Sequence, residues 1–186
     1  MRAQIILISS VAIFGFLLFG EGGYIYAKAK LAQVLLDDAW SRTLHGEQHA
    51  KPWRWADTWP IAKIEFPRQH QTFIVLSGAS GRTMAFGPGH IDGTAAPGEV
   101  GNCVISAHRD TQFAVLRDVA AGDPIVIQSR DGRTLRYRVR ELRIVDYRDT
   151  SVLAPAAGQT LTLITCYPFD AVVPGGPLRY VVVAMP

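Results

Sequence analysis

The sequence predicts an all-β domain, a sandwich or a barrel, preceded by a helix and an apolar N-terminal segment. From Ile61 onward, short runs rich in Val, Ile, Leu, Thr and Tyr alternate with Gly, Pro, Asp and Asn, which is the pattern of short strands joined by turns. One short internal helix is predicted in this region, over residues 113–120. Strands that follow one another in this way favour a sandwich or barrel over a parallel α/β sheet.

The length and composition fit one such domain with a core of its own. The chain has 186 residues, of which 48% are hydrophobic, and this fraction is far too high for a disordered protein. The formal net charge is +3, with the basic residues scattered along the chain. Because no basic run is interleaved with aromatic residues, the sequence gives no indication of a nucleic-acid partner.

Residues 1–27 predict a transmembrane signal-anchor helix. Residues 3–19 are nearly all apolar, and these roughly 17 residues are close to the minimum that spans a bilayer. The alternative is a cleaved signal peptide, for which Ala27-Lys28-Ala29 is a poor cleavage site, and we favour the uncleaved anchor. Basic residues flank the segment on both sides, so charge alone does not fix its orientation.

Residues 28–59 are predicted to connect the anchor to the β domain at residues 60–186. A helix is expected over residues 24–43, with one apolar face formed by Leu31, Val34, Leu35 and Ala39. A tryptophan-rich stretch follows, which contains Trp53, Trp55 and Trp59. These rings are either an interfacial anchor or partner-binding patch, or they pack on the outside of the β domain, which is the interpretation we favour.

Turn residues divide the β region into seven predicted strands. The strands are expected at residues 62–66, 72–76, 102–107, 124–128, 134–145, 160–165 and 178–184. Asp131-Gly132 predicts a hairpin between two of them, and residues 86–90 (Phe-Gly-Pro-Gly-His) predict a turn. The loops at residues 146–158 and 167–177 are expected to shape specificity, because loops on a rigid scaffold usually carry binding residues.

Three reactive side chains lie at the ends of separate predicted strands. Cys166 closes one strand, His108 closes another, and Arg179 lies at the start of the last. A thiolate is the nucleophilic form of cysteine, histidine exchanges protons near neutral pH, and arginine can bind a developing oxyanion. Together they supply the groups that acyl transfer through a thioester requires.

Each of these residues alone has an ordinary structural interpretation, since free cysteine is usually a small buried side chain. The joint pattern of three strand ends is what favours a catalytic site. Cys103 is expected to be a core residue, because five positions along a strand place it on the face opposite His108. A disulfide between Cys103 and Cys166 would consume the proposed nucleophile.

The other histidines are weaker candidates. His90 lies in the predicted turn and is a second possible base. His45 and His49 are four residues apart, but no cysteine or carboxylate completes a metal site with them. No acidic cluster indicates calcium, so no cofactor and no metal are expected.

The strand ends and their flanks resemble the sortases, the cysteine transpeptidases that attach proteins to bacterial surfaces. The resemblance covers about residues 61–185, and it includes Gly101-Asn102, the run His108-Arg109-Asp110-Thr111, Gly122-Asp123 and Val145-Asp146. Ala107 stands where many sortases have glycine before the histidine. The compact chain is most similar to class D sortases and to the variants of Gram-negative bacteria.

This resemblance implies a closed β-barrel of about seven or eight strands with the active site in a groove at one end. By similarity, Cys166 is the nucleophile, His108 the acid and base, and Arg179 the donor to the oxyanion or substrate. The implied partners are a secreted protein with a C-terminal sorting signal resembling LPxTG and an amine acceptor. The implied location is the bacterial cytoplasmic membrane, with a single span and the catalytic domain outside.

Two alternatives use the same residues differently. A membrane-anchored cysteine peptidase would release the acyl group to water instead of an amine. A non-catalytic β-barrel adaptor would keep Cys166 as a structural residue. Papain-like enzymes are disfavoured because their cysteine precedes the histidine, whereas His108 precedes Cys166 in this chain.

Overall fold

The computed structural model describes residues 23–24, 26–173 and 175–186, and eight strands close into a barrel. Around the barrel the strands follow the order β1-β2-β3-β4-β7-β8-β6-β5. Their bounds are β1 Pro60–Phe66, β2 Gln71–Ser77, β3 Gly89–His90, β4 Gly101–Ser106, β5 Pro124–Ser129, β6 Thr134–Asp146, β7 Gln159–Tyr167 and β8 Leu178–Met185. The predicted all-β class and closed barrel are confirmed, while the predicted anchor at residues 1–27 lies mostly outside the described residues.

The strand β3 was not predicted. It consists of Gly89 and His90, inside the segment predicted as a turn, and two residues are too few to show a periodic pattern. A Cβ at Gly89 would lie only 2.8 Å from the Cα of Ala79, so glycine is what allows β3 to approach the chain that follows β2. The other seven strands match their predicted ranges to within two residues at each end.

Alternating residues of the strands fill the barrel interior. The largest buried side chains of this core are Phe66, Phe113, Ile64, Ile105, Leu116, Ile125, Ile127, Leu161 and Leu163. Cys103 belongs to the same core and is 2% exposed, as expected. Burial raises the pKa of the Cys103 thiol to about 12, with a smaller effect of Glu99 in the same direction. Cys103 is therefore a neutral, packed side chain.

The helix α1, described at residues 23–24 and 26–44, packs on the outside of the barrel. Its buried face includes Leu36 and Trp40, which pack with Ile74, Leu76 and Phe86. The helix itself was predicted, and Ala39 of its predicted apolar face is buried, but the prediction was wrong for Leu31 and Val34, which are 58% and 64% exposed. The face that docks is Ala32, Leu36, Ala39 and Trp40.

Three short helical turns lie between the strands, where one was predicted. The predicted helix at residues 113–120 is a 3-10 segment, Gln112–Asp118, whose Phe113 and Leu116 enter the core. The additional turns are the helix α2, Gly81–Met84, capped by the Ser80 hydroxyl, and the 3-10 turn Thr150–Leu153. In the described part of the chain, no helix has both the length and the apolar character needed to span a membrane.

A second apolar cluster covers the outer face of β4, β7 and β8. It consists of Val104, Ile164, Val181, Val183 and Val152, of which Val152 belongs to the 3-10 turn of the β6–β7 loop. That loop crosses the outside of the sheet, because β6 ends at the opposite end of the barrel from the start of β7. Asn102 fixes the loop by donating from Nδ2 to the carbonyls of Val152 (2.9 Å) and Ala154 (3.1 Å).

The three tryptophans of the connector differ in burial. Trp53 is half-buried and meets Phe86 edge to face, with ring centroids 4.8 Å apart. Trp59 is half-buried against His49, with centroids 4.2 Å apart. Packing on the outside of the barrel is therefore confirmed for Trp53, because Phe86 packs with Ile74 and Leu76 of β2, whereas the ring contact of Trp59 is with the connector. The prediction is wrong for Trp55, which is 83% exposed.

Candidate active site

The barrel topology brings the three predicted catalytic residues to one end. β7 lies between β4 and β8; it runs parallel to β4 and antiparallel to β8. The ends of β4 and β7 and the start of β8 therefore meet at one rim of the barrel. His108 follows β4 by two residues, Cys166 is the penultimate residue of β7, and Arg179 is the second residue of β8.

Cys166 and Arg179 are direct cross-strand partners in the β7–β8 ladder. Opposite residues of an antiparallel pair project to the same side of the sheet with Cβ atoms about 4.5–5.5 Å apart. Both side chains are half-buried. The thiol and the guanidinium group therefore share one partly solvent-accessible surface.

His108 reaches the same position from the other side of β7. The β4–β7 register pairs Ser106 with Ile164, and two bonds continue it beyond the end of β4. Ala107 N–H donates to the Ile164 carbonyl (3.3 Å), and the Thr165 hydroxyl donates to the Ala107 carbonyl (2.8 Å). The next residue in this register is His108, level with Cys166. Its side chain is exposed.

The alternation of the strands sets which face of the barrel carries the site. Along β4 and just beyond it, Cys103, Ile105 and Ala107 face the interior core. Successive residues of an extended chain alternate in direction, so His108 projects to the outer side of the sheet. On β7, Leu161 and Leu163 face the interior, whereas Ile164 belongs to the outer cluster. Cys166 lies two positions after Ile164 and therefore projects to the same outer side. The site is thus on the outer face, at the end of the apolar surface formed by the outer cluster. The chemical roles of the three residues stay predictions.

Arg179 is held in place by the loop before β8 and by an aromatic ring. Its Nη1 donates to the carbonyls of Gly176 (2.8 Å) and Leu178 (2.9 Å). Its guanidinium group lies 5.7 Å from the ring centroid of Tyr147, a residue that the sequence did not indicate. Among the described residues, the hydrogen bonds of Arg179 use Nη1 alone, and the planar fork has further donors for a substrate oxygen.

An aromatic cluster supports the loop that follows Cys166. The rings of Tyr167 and Tyr180 stack at 6.2 Å with an interplanar angle of 19°, and Phe169 meets Tyr180 edge to face at 5.2 Å. Burial raises the pKa of the Tyr180 phenol, and the neighbouring Tyr167 adds to the effect. Further along the loop, Val172 and Val173 are 96% and 76% exposed, so this loop presents apolar surface to solvent.

Sequence reasoning also missed the role of Arg109 beyond its place in the His108-Arg109-Asp110 run. Arg109 is 7% exposed and contacts the loop after Cys166 through two carbonyls, those of Pro168 and Ala171. The sequence offers one indication of this role, which is that Arg109 directly follows the proposed base His108. Its burial depends on contacts that the sequence does not reveal.

The other histidines lie elsewhere. His90 Nε2 lies 2.9 Å from the Ala95 carbonyl and 3.1 Å from the Thr94 hydroxyl, so the ring is engaged in a local turn. His45 is at the end of α1, and His49 lies beyond it with φ of 56°, so the two are not on one helical face. Within the described ranges, no three His, Cys, Asp or Glu side chains form a metal-binding group.

Comparison with known proteins finds related sequences and structures. Residues 64–186 match the family model of the Sortase domain. Sortase D of Bacillus subtilis (strain 168) is 31% identical over 120 residues, a match that covers 64% of this chain and only 60% of that protein's length.

Solved structures show the same fold. A Sortase D5 transpeptidase of Clostridium perfringens has a TM-score of 0.62 and 25% identity, and the match covers 80% of this chain and 86% of that one. Sortase A of Corynebacterium diphtheriae has a TM-score of 0.63 and 29% identity, with 82% of each chain covered.

Proposed function

The chain belongs to the sortase family, and from that premise we propose that it is a membrane-anchored transpeptidase that uses Cys166 as its nucleophile. The substrate is a secreted protein with a C-terminal sorting signal resembling LPxTG, and the acceptor is an amine. The observation that carries the proposal is the register of three neighbouring strands, which sets His108, Cys166 and Arg179 side by side on one rim.

The first half-reaction forms a thioester. Cys166 gives its proton to His108, and the sulfur attacks the carbonyl carbon of the scissile peptide bond. The carbonyl oxygen becomes an oxyanion that accepts hydrogen bonds from Arg179 and from backbone N–H groups near Cys166. As the C–N bond breaks, His108 protonates the departing amine, and the acyl group remains on the sulfur.

The second half-reaction resolves the thioester. An incoming amine attacks the same carbonyl carbon, and His108 accepts its proton. When the C–S bond breaks, a new peptide bond has formed and the sulfur leaves as the thiolate, which is reprotonated for the next cycle. Water in place of the amine gives hydrolysis, so the transpeptidase and peptidase activities differ only in the acceptor.

The test uses the full chain in nanodiscs with a panel of LPxTG-like peptides and an amine acceptor, read by intact mass and product analysis. We expect an acyl adduct on Cys166 and an amine-linked product, both lost in Cys166→Ala. In His108→Ala we expect the product to be lost. Cys103→Ala is the matched thiol control and should retain activity, because Cys103 faces the core.

Two results point to the alternatives. Hydrolysis alone, unchanged by added amines, indicates a peptidase. If no adduct forms and Cys166 also resists thiol reagents in the folded protein, the adaptor becomes the better description. The half-exposed position of Cys166 argues against that outcome.

We place this enzyme on the outer side of the bacterial cytoplasmic membrane, anchored by the apolar residues 3–19. The surface next to this segment supports the proposal. Tyr24 and Tyr26 are 67% and 65% exposed on the first turns of α1. A groove of about 580 Å³ follows, lined by apolar residues that include Leu31, Leu35, Trp53, Trp55 and Phe86, and also by Lys28, Arg82 and Asp57. Exposed aromatic rings beside basic residues are typical of the membrane interface.

Membrane association is tested by fractionating cells that express the full chain and by treating intact spheroplasts with protease. We expect the chain in the membrane fraction and the β-barrel domain accessible to protease from outside. Release of the wild-type chain into the soluble fraction, or complete protection in spheroplasts, would contradict the proposed location.

A further inference from the structure

Arg109 links the segment that carries His108 to the loop that follows Cys166. The side chain is 7% exposed, although the residue lies next to the exposed His108. Its Nη1 donates to the Pro168 carbonyl (2.5 Å) and its Nη2 to the Ala171 carbonyl (2.6 Å). Its Nε donates to the Asp110 carboxylate (3.0 Å). All three nitrogens of the guanidinium group are therefore engaged.

The two carbonyls belong to one turn. Pro168 is the second residue after Cys166, and the Ala171 N–H donates back to the Pro168 carbonyl at 3.4 Å. Arg109 closes this turn from the barrel side. Arg117 supports it from the outside, since its Nη2 donates to the Phe169 carbonyl (2.8 Å) and its guanidinium group lies 5.5 Å from the Phe169 ring centroid.

The hydrogen bonds of Arg109 matter for stability because its guanidinium group is buried. A buried guanidinium group without partners is strongly destabilising, and hydrogen bonds to charged groups are stronger than neutral ones. Only Arg offers two nitrogens in a fixed planar fork, which matches two carbonyls of one turn; Lys offers a single point of attachment. Arg109 thus adds a side-chain link between the His108 segment and the turn after Cys166 to the backbone pairing of Ala107 with β7.

We propose that Arg109 is a positioning residue that holds His108 and Cys166 in register for proton exchange. This inference rests on the proposed function. Arg109 does not touch the reacting atoms; it acts through the turn at residues 168–171 and through its neighbour in sequence. Because a displacement of about 1 Å between reacting groups can reduce a rate about a hundredfold, loss of the link is expected to impair the thiol–imidazole pair.

The test measures the alkylation of Cys166 by iodoacetamide as a function of pH in the full chain, with the modified peptide assigned by mass. This readout needs no knowledge of the sorting signal. The His108→Ala variant gives the pH profile of Cys166 alkylation in the absence of the imidazole. We expect Arg109→Met to shift from the wild-type profile toward that of His108→Ala, and we expect Arg109→Lys to lie between the two.

Arg42→Met is the matched control. Arg42 also makes three hydrogen bonds, to Asp38, Glu47 and the Lys51 carbonyl, but it lies at the end of α1 and away from the rim. We expect it to lower thermal stability and to leave the alkylation profile unchanged. In the peptide assay, Arg109→Met should lower kcat by about tenfold or more with a smaller effect on KM.

Four outcomes overturn the inference. If Arg109→Met folds and has the wild-type alkylation profile, then Arg109 does not position His108 relative to Cys166. The same shift in Arg42→Met shows that it reflects stability alone. If Arg109→Met does not fold, a wild-type profile in Arg109→Lys has the same meaning. A wild-type profile that does not depend on His108 overturns the proposed function as well, and this distinguishes the two failures.

Discussion

Cys103, within β4, and His108, two residues beyond the end of β4, project to opposite sides of the sheet. Cys103 faces the barrel core and is 2% exposed, whereas His108 projects to the outer side of the sheet, as Cys166 does. The two cysteines are therefore separated by the sheet itself, and both are free thiols. One segment of the chain, β4 and the two residues that follow it, thus provides a neutral packing thiol for the core and the proposed base for the other cysteine.

Arg179→Gln should reduce kcat/KM in the peptide assay about a hundred- to a thousandfold, because it removes a charged donor to the oxyanion. Arg179→Lys should recover part of the loss, since Lys keeps the charge but lacks the planar fork that also binds the Gly176 and Leu178 carbonyls. Arg138→Gln is the control on the neighbouring strand, where Arg138 is exposed. Equal losses in Arg179→Gln and Arg138→Gln would contradict a specific role for Arg179.

Cys103→Ala should change how stability depends on pH in the alkaline range. The folded pKa of Cys103 is raised to about 12 from an ordinary value of 9.0. The stability contributed by the neutral buried thiol is therefore present below pH 9 and is lost as pH rises from 9 toward 12. We expect the urea midpoints of the wild type and Cys103→Ala to converge over this interval. A constant difference between them at all pH values would show that ionisation of Cys103 is not linked to unfolding.

Asp123→Asn should lower the free energy of unfolding by about 1–3 kcal/mol at neutral pH, because it removes a buried charged acceptor. Burial acts to raise the pKa of Asp123, but hydrogen bonds from Arg68, the Ala120 N–H and Gln69 hold it below its usual value. The stabilisation is thus present above the unfolded pKa of about 3.9 and is lost as pH falls through the folded pKa.

Chemical denaturation between pH 3 and pH 7 checks this prediction for Asp123. The difference between the wild type and Asp123→Asn should be constant near pH 7 and should shrink below about pH 4. Asp37→Asn, an exposed carboxylate on α1, is the control. A difference that does not change with pH would assign the loss to packing and not to the charge.

Trp40→Ala should destabilise the protein by about 3–5 kcal/mol, because the ring is 4% exposed and joins α1 to the barrel. Trp55→Ala removes the same side chain from an 83% exposed position and should change stability by less than about 0.5 kcal/mol. Thermal unfolding of the two variants checks the prediction. Similar losses in both would mean that α1 does not dock through Trp40 as the structure describes.

Much of the barrel could be predicted from the sequence because strand alternation and turn residues are local signals. The docking face of α1 could not. Leu31, Val34 and Leu35 obey helical spacing as well as Leu36 and Trp40 do, so both faces are apolar enough to be buried. Which face is buried depends on the contacts of Leu36 and Trp40 with Ile74, Leu76 and Phe86, which lie more than 30 residues further along the chain.

The site was predictable in its residue types but not in its geometry. Cys166, His108 and Arg179 stand at strand ends, and that much is visible in the sequence. The parallel pairing of β4 with β7 is a long-range contact, and no local pattern fixes its register. The contact between Tyr147 and Arg179 depends in the same way on the long-range pairing of β6 with β8. The burial of Arg109 depends on its contacts with the loop after Cys166, so both features appear only in the structure.

The parallel pairing of β4 and β7 also determines when the protein acquires its chemistry. Parallel neighbours cannot be joined by a tight turn, and here β5 and β6 are made between them. During synthesis, β4 and β5 therefore exist well before β7 can be added beside β4. The thiol meets the imidazole only when the last third of the chain has closed the barrel, and contacts of such large sequence separation form late and slowly. An unfinished chain therefore lacks the pair of thiol and imidazole on which the proposed chemistry depends.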